Sequence, residues 1–225
     1  LGLRRNAAAR DTITVSTMAA VTAMAAVLLA EVDRNGTIVL GVGDWAPDLG
    51  IVLVADLFAA LILLVGSVSF LGFGIMHSML FNNVSALTLG QQQSAAGGSL
   101  AILTGDLFTL FVAFELILVA SYVLLTHQGR ESQVRSGMTY VVINLFASTL
   151  FLFGVAIVYS ATGTVNMAQL ADRMPQLPSG VATGFSLLLI LVFGIKAGLF
   201  PLFFWLPDSY PTASGAITAV FAGLL

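Results

Sequence analysis

The sequence contains no cysteine, and only 8% of its 225 residues are charged. Without cysteine, disulfide bonds, thiol catalysis and thiolate-bound metals are excluded. A soluble domain carries roughly 25% charged residues, and with 58% hydrophobic residues this chain has more apolar surface than one soluble core could bury. The sequence also lacks a P-loop, a nucleophile elbow and a zinc-binding helix, and we expect no cofactor. Composition therefore predicts an integral membrane protein surrounded by lipid.

Apolar runs of about 20 residues, the length that a spanning helix needs, recur along the chain. No alternation of polar and apolar residues indicates lipid-exposed strands, so the predicted fold class is all-α, a polytopic transmembrane helix bundle. The last run, from Ala213 to Leu225, reaches the end of the sequence, so we expect residues 1–225 to be a single transmembrane domain from a longer protein. The complete runs are Thr14 to Ala30, Leu49 to Ile75, Ile102 to Thr126, Met138 to Tyr159 and Val181 to Leu206.

The stretch from Met79 to Leu100 is too polar, with three consecutive glutamines, to be predicted as a spanning helix from hydropathy. Charge placement requires a crossing there, because basic residues near helix ends prefer the cytoplasm. Arginines precede the first run and occupy the loop from His127 to Ser136, whereas the loop from Glu31 to Asp48 is acidic. We therefore predict a protein-buried or re-entrant segment, which makes six spanning segments and the start of another. The same alternation places the loop after the fourth run outside, with a short helix near Met167 to Arg173.

Two ionisable residues, Glu115 and Lys196, lie in the middle of apolar runs. A charge at that depth is costly unless it is paired, neutralised or in contact with water. A pair of opposite charges offsets part of both burial costs, and lysine, unlike arginine, can gain and lose a proton as a carboxylate partner approaches or leaves. We predict that both residues belong to a proton or cation pathway. A structural buried acid and a static salt bridge are the alternatives.

Around Lys196 the sequence predicts a broken helix. Pro201 removes a backbone donor and kinks the helix, while Gly194 and Gly198 allow close approach of the backbone. The freed carbonyl groups of a broken membrane helix usually line a polar cavity. We therefore predict a discontinuous helix beside the lysine, with an ordinary kink as the alternative.

Asp56, Asp106 and His127 are further possible members of the pathway. Each aspartate lies in the first third of its segment on the predicted outer side, where it could mark the mouth of a path. An acid at a helix start also stabilises that helix, so a structural role is favoured for both. His127 lies at a helix end, where an interfacial side chain is the favoured interpretation. We expect no metal site, and we predict a helix–helix hydrogen bond for Asn144 in the fourth run.

Two stretches of the sequence closely resemble a known family. They are GDLFTLFVAFELILVASYVLL (Gly105 to Leu125) and GIKAGLFPLFFWLPDSYPTASGAITAVFAGLL (Gly194 to Leu225). With YVVINLFAS and GTVNMAQLADR between them, they resemble the D subunit of Mrp-type multisubunit sodium/proton antiporters. That family is homologous to the antiporter-like membrane subunits of NADH-quinone oxidoreductase and of membrane-bound hydrogenases. The resemblance covers most of the chain, and it implies a bundle with discontinuous helices and a hydrophilic axis at mid-membrane.

The resemblance also implies roles for single residues. Glu115 matches the family's key glutamate and Lys196 its key lysine, and proton or sodium transfer would run through this pair and further lysines. The next such lysine would follow Leu225, and the family's first helix would precede Leu1. One departure concerns Met79 to Leu100, which is far more polar than the family's helix at this place.

Together these features predict an ion transporter subunit that is not an enzyme. We expect a membrane subunit of a monovalent cation/proton antiporter that moves H⁺ and Na⁺, or another monovalent cation, in a bacterial cell membrane. Its partners would be other antiporter subunits and the lipid bilayer, with no nucleic acid. The first alternative is a proton-pumping membrane subunit of a redox-driven NADH-quinone oxidoreductase or hydrogenase-like complex, and the second is a non-transporting scaffold.

Overall fold

The computed structural model describes residues 7–46, 50–80, 85–213 and 215–224. These residues form mostly helices, with one short antiparallel strand pair. The elements are α1 (Ala7–Asn35), β1 (Ile38–Gly41), β2 (Val52–Ala55), α2 (Leu57–Leu80), α3 (Ser85–Leu103), α4 (Leu107–Thr126), α5 (Glu131–Thr162), α6 (Met167–Arg173), α7 (Ser179–Lys196), α8 (Trp205–Ser209) and α9 (Gly215–Leu224).

Five helices within the described residues are long and apolar enough to cross a membrane, namely α1, α2, α4, α5 and α7. Each corresponds to one of the complete apolar runs of the sequence. The second run begins differently from the prediction, because its residues 52–55 pair as β2 with β1 in the register Ile38 to Ala55. Helix α2 starts only after Asp56, whose carboxylate accepts from the amide of Ala59 over 2.7 Å and caps the helix.

The stretch from Met79 to Leu100, which hydropathy alone would leave as a loop, begins in the last two residues of α2, and its residues 81–84 lie outside the described residues. The rest of it belongs to helix α3, which packs closely on α4. The two helices are antiparallel, since Gly90 lies against Leu124 and Gly97 against Ile117. A Cβ at either glycine would approach the facing side chain to 2.8 Å, so close packing depends on their small size. The predicted burial of this segment inside the protein is thus found in the structure, while its crossing of the membrane stays a prediction.

The glutamines of α3 are satisfied inside the bundle. Gln91 is 1% exposed, and its side-chain amide donates to Phe70 O in α2 over 2.7 Å. The amide of Gln93 donates to Leu116 O in α4 over 3.5 Å. Polar side chains that find partners on neighbouring helices can be kept in an apolar layer, because the hydrogen bonds offset the cost of removing them from water.

One end of the bundle is tied together by backbone hydrogen bonds. The amide of Gly105 donates to Val52 O over 2.7 Å, the amide of Met167 donates to Gly105 O over 2.9 Å, and that of Leu107 donates to Val165 O over 3.0 Å. The starts of α2 and α4 and the end of α5 therefore meet at the same end. The loops that the charge pattern places on one side of the membrane do lie together, and the short helix predicted for residues 167–173 is present as α6.

The core that positions the site lies between α4, α5 and α7. Phe151, which is fully buried, contacts the rings of Phe114 and Phe193 at centroid distances of 6.0 and 5.5 Å. Small residues let the helices approach, since Ala113 and Ala147 are also completely buried. In lipid, such packing and polar contacts between helices replace the hydrophobic driving force of soluble proteins.

Candidate functional site

Helix α7 ends in the middle of its apolar run, at Lys196. Gly198 adopts a left-handed conformation with φ +60°. Its amide donates to Ile195 O over 3.2 Å, and the amide of Leu199 donates to Gly194 O over 2.9 Å. These two bonds form a Schellman motif, which closes a helix just before a glycine of positive φ.

Beyond the break, the chain continues toward the opposite end of the bundle. The indole N–H of Trp205, at the start of α8, donates to Ile195 O over 3.0 Å. Three residues after α8, Thr212 O accepts from the side-chain amide of Gln133 in the first turn of α5, over 2.9 Å. The segment that begins with α7 therefore crosses the bundle in two pieces, α7 and α8, with a turn region between them.

The predicted discontinuous helix is confirmed, but two details of the prediction are wrong. The break is not a kink at Pro201, because the Schellman motif at Gly198 stops α7 before Pro201 is reached. The carbonyl groups at the end of α7 are also not left free, since Gly194 O and Ile195 O accept the hydrogen bonds just described. These two carbonyl groups therefore already have donors at the break.

Lys196 is the only lysine of the sequence, and its ammonium group lies against α4 and α5. Nζ donates to Ser148 Oγ over 3.0 Å and, over a longer 3.5 Å, to Asn144 O. It also lies 5.4 Å from the centre of the Phe114 ring, within the range of a cation–π interaction. As the last residue of α7, Lys196 sits at the negative end of the helix dipole, which favours a cation there.

Glu115 follows Phe114 in α4, and its side chain is half-buried. The Oε1 atom is buried without a hydrogen-bond partner. The carboxylate lies within electrostatic range of Lys196, but the two groups do not form an ion pair. Among the described residues, the single ion pair within 4.0 Å joins Arg10 and Asp11. The structure thus brings the two predicted pathway residues into one region without forming a salt bridge between them.

A small cavity of about 70 Å³ opens beside Lys196. That volume accommodates water, since one water needs about 10–15 Å³ of such space. Polar groups for water are available on Lys196, Asn144, Tyr140 and Tyr210, while aromatic and aliphatic side chains close the rest of the wall. The lining residues are Phe114, Ile117, Leu118, Tyr140, Asn144, Lys196, Trp205, Tyr210 and Phe221.

The two aspartates named from the sequence serve as helix caps. Asp106 is 2% exposed, and its Oδ1 accepts from the amide of Thr109 over 2.6 Å as the N-cap of α4. Asp56 caps α2 and is exposed. Both aspartates therefore have structural partners at the end of the bundle where α2 and α4 start, in agreement with the structural role that the sequence favours. Neither aspartate lines the cavity beside Lys196.

His127 lies at the opposite end of α4 as its C-cap residue. It follows Glu115 by 12 residues, a distance of about 18 Å along an α-helix, so the structure does not bring the two together. Asn144 is buried and donates to Tyr140 O in its own helix over 2.9 Å, while its backbone carbonyl oxygen accepts from Lys196. The predicted bond between helices thus exists at this residue, but it uses the backbone.

Sequence reasoning missed Ser148, Tyr140 and Tyr210. Ser148 follows Asn144 by one helical turn, so the i, i+4 spacing of two polar residues in an apolar run was the available signal. The two tyrosines carried no such signal, because tyrosine is common at the ends of membrane helices. Among the described residues, no three His, Asp or Glu side chains are grouped so that they could hold a metal ion.

Comparison with known proteins finds relatives over nearly the whole chain. The D subunit of the Na⁺/H⁺ antiporter of Alkalihalophilus pseudofirmus is 44% identical over 208 residues, which cover 88% of this chain and 41% of that protein. Among solved structures, a chain of the Mrp complex from a Dietzia species is similar with a TM-score of 0.83 and 33% identity, over 95% of this chain and 40% of that one.

A second solved structure with the same fold belongs to the membrane-bound sulfane sulfur reductase, an archaeal respiratory membrane complex. The TM-score is 0.88 at 30% identity, over 99% of this chain and 46% of that chain. The sequence thus spans less than half of the length of the proteins that it matches. Their similarity confirms the resemblance to the antiporter's D subunit and the fold class of a polytopic transmembrane bundle with a discontinuous helix.

The family model described as "NADH:quinone oxidoreductase/Mrp antiporter, TM" matches residues 104–225. This range contains α4 with Glu115 and the broken segment with Lys196. Because the match covers more than half of the chain, the protein belongs to the transmembrane family of NADH:quinone oxidoreductase and Mrp antiporter subunits.

Proposed function

We propose that this chain is part of a membrane subunit of a multisubunit monovalent cation/proton antiporter, and that Glu115 and Lys196 lie on its ion pathway. The observation that carries the proposal is the placement of Lys196. A membrane helix stops at this residue, and its ammonium faces other helices, beside a cavity large enough for water. A lysine kept at such a place needs partners within the protein, and intramembrane ionisable residues are functional candidates for that reason.

The buried carboxyl group of Glu115 supports the same proposal. An ionised carboxylate with a buried and unpaired oxygen is costly in an apolar environment, and Glu115 lacks a partner for this oxygen while Lys196 is held elsewhere. If Lys196 moves toward Glu115, its positive charge stabilises the ionised acid and a proton leaves. Opening and closing of this pair would therefore couple proton occupancy to the position of a charge.

The names of the relatives indicate which kind of transporter to propose. The relative from Alkalihalophilus pseudofirmus is named a Na⁺/H⁺ antiporter subunit, and one similar structure is that of an Mrp complex. Other antiporter subunits would be the partners of the complete subunit, and the cell membrane its location. Na⁺ or another monovalent cation would be exchanged for H⁺. The subunit would catalyse no covalent chemistry of its own.

The test uses the complete subunit assembled with its complex in membrane vesicles. Lys196→Ala should abolish cation-driven proton movement, measured with a pH-sensitive dye. Lys196→Arg, which keeps the charge but cannot release a proton usefully, should also lose most of it. Asp172→Asn, an exposed charge at the end of α6, is the control and should keep full activity. Full transport by Lys196→Ala would rule out the proposed pathway.

A second candidate function is the membrane subunit of a redox-driven proton pump. The similarity to the archaeal respiratory complex, with a TM-score of 0.88, favours keeping it. Purification of the native complex distinguishes the two, because an antiporter should co-purify with small membrane subunits alone, whereas a pump should bring peripheral redox subunits. A third possibility, a scaffold without transport, predicts normal transport in a Glu115→Gln/Lys196→Gln double variant.

A further inference from the structure

The ammonium group of Lys196 has a defined position on α5. Ser148 Oγ accepts a hydrogen bond from Nζ at 3.0 Å, and Asn144 O, one turn earlier in the same helix, is the longer contact at 3.5 Å. The ring of Phe114 lies on the α4 side at 5.4 Å. Of these three groups, the hydroxyl of Ser148 makes the shortest contact.

Ser148 is placed so that its hydroxyl is not accessible to water. The residue is 2% exposed, and the neighbouring Ala147 is fully buried. A hydrogen bond in which the donor is ionised is about twice as strong as a neutral one, and it gains further where water does not compete. The contact between Ser148 and Lys196 is therefore suited to hold a charged side chain at one place.

This position differs from the one in which Lys196 would pair with Glu115. No ion pair within 4.0 Å involves Glu115 in the described part of the chain, and its Oε1 is buried without a hydrogen bond. The carboxylate is nevertheless in electrostatic range of the lysine. The structure therefore shows the ammonium group bonded to Ser148 and not paired with Glu115.

We propose that Ser148 is a positioning residue of the ion pathway, whose hydroxyl holds the Lys196 ammonium on α5 and so stabilises the state in which Glu115 and Lys196 are apart. The inference rests on the proposed function, because it assigns the unpaired state a place in the transport cycle. Without the hydroxyl, the equilibrium shifts toward the Glu115–Lys196 ion pair. Each cycle must then break that pair with no alternative acceptor for the lysine except backbone and water.

The experiment compares Ser148→Ala with Ser148→Thr in the complete subunit, assembled in its complex and assayed in vesicles. Removal of one hydrogen bond to a charged group should lower the maximal transport rate on the order of tenfold, whereas Ser148→Thr, which keeps a hydroxyl, should stay within about twofold of the parent. The pH profile of transport should shift in Ser148→Ala and not in Ser148→Thr. The control is Ser160→Ala, an exposed serine of the same helix that bonds only to Ile157 O.

A structure of the Ser148→Ala complex adds a direct measurement, in which Nζ of Lys196 should lie within about 4 Å of the Glu115 carboxylate, the range of an ion pair. Should Ser148→Ala assemble poorly, Ser148→Cys replaces it, because cysteine keeps the volume but is a weak acceptor. Equal transport rates and pH profiles for the parent and the Ala or Cys variant would overturn the role of Ser148. If Lys196→Ala abolishes transport at the same time, the proposed function stands. If Lys196→Ala transports normally, the proposed function itself has failed.

Discussion

Helix α3 and the broken segment around Lys196 are both unusual for a membrane protein, in opposite ways. Helix α3 carries many polar side chains, and two of its glutamines are bonded to backbone carbonyl groups of neighbouring helices. The broken segment is mostly apolar, but it places a single ammonium group beside a cavity and near a carboxyl group with an unpaired oxygen. The number of polar residues in an apolar layer therefore does not mark a functional site. Ionisable groups without a complete set of partners mark it better.

The largest expected effect is a loss of transport on substitution of Glu115, which would separate the two regions. Glu115→Gln keeps the shape of the side chain but removes its proton exchange, so cation-driven proton movement should fall on the order of 100-fold, as for other proton-transfer groups. Dye-based assays in vesicles that contain the complete subunit measure the loss. Gln91→Leu, a matched change of a buried polar residue in α3, should retain transport. Comparable losses in both variants would remove the distinction between the regions.

A second test concerns the conformation of the break. Gly198→Ala should lower the free energy of unfolding by about 1–2 kcal/mol, because a left-handed conformation strains any residue with a Cβ. That Cβ would also lie 2.9 Å from Leu206 Cδ1. Thermal unfolding of the detergent-solubilised complex measures the change. Gly180→Ala, in the first turn of α7 with open space around it, is the control and should be neutral. A Gly198→Ala complex as stable as the parent would contradict the assigned role of the glycine.

A smaller effect on stability alone is expected in α3. Gln91→Leu removes the hydrogen bond to Phe70 O, and hydrogen bonds between membrane helices contribute about 0.6–1 kcal/mol. The unfolding free energy should fall by that amount, while the transport rate per assembled complex stays unchanged. The side-chain amide of Gln92 makes only a 3.4 Å contact with Thr14 Oγ1, so Gln92→Leu should lower the unfolding free energy by less. A loss of transport at normal assembly would instead assign α3 to the pathway.

The smallest effect is expected for Asp56→Asn, at an aspartate that the sequence offers as a possible mouth of the path. As a helix cap it should accept asparagine with a change of less than about 0.5 kcal/mol, because Asn and Asp are equally good N-caps. Asp56→Ala should cost about 1 kcal/mol, because alanine has no side-chain oxygen to accept from the amide of Ala59. Transport should be normal in both, measured per assembled complex. Reduced transport by Asp56→Asn at unchanged stability would restore the pathway role of the carboxylate.

The helices were largely predictable, since the apolar runs correspond to α1, α2, α4, α5 and α7. The short helix α6 was also predicted, and in the structure Asn166 caps it by accepting from the amides of Ala168 and Gln169. The strand pair was not predicted, because β2 continues into an apolar run that hydropathy assigns to one helix. Local composition does not show which part of such a run finds a pairing partner.

The site was predictable in part. Glu115 and Lys196 stand out because each is an isolated ionisable residue in an apolar run, and the sequence around Gly198 predicts the break. Ser148 does not stand out, because a serine hydroxyl in a membrane helix is ordinarily satisfied within its own helix, and Tyr140 does not, because tyrosine is common at the ends of membrane helices. Their positions relative to Lys196 depend on the rotation of α5, which follows from packing of Phe151 and Ala147 against the other helices.

The order of the residues is enough to predict a helical membrane protein, the places of its longest helices, and the two charges that need an explanation. These features are predictable because the cost of placing polar and charged groups in lipid acts on each residue locally. The tertiary structure alone decided which group each charge meets: Lys196 bonds to Ser148, while Glu115 keeps an unpaired oxygen. Such pairings join residues that are far apart in the chain, and the distances of a few ångströms that define them are set by how the helices pack.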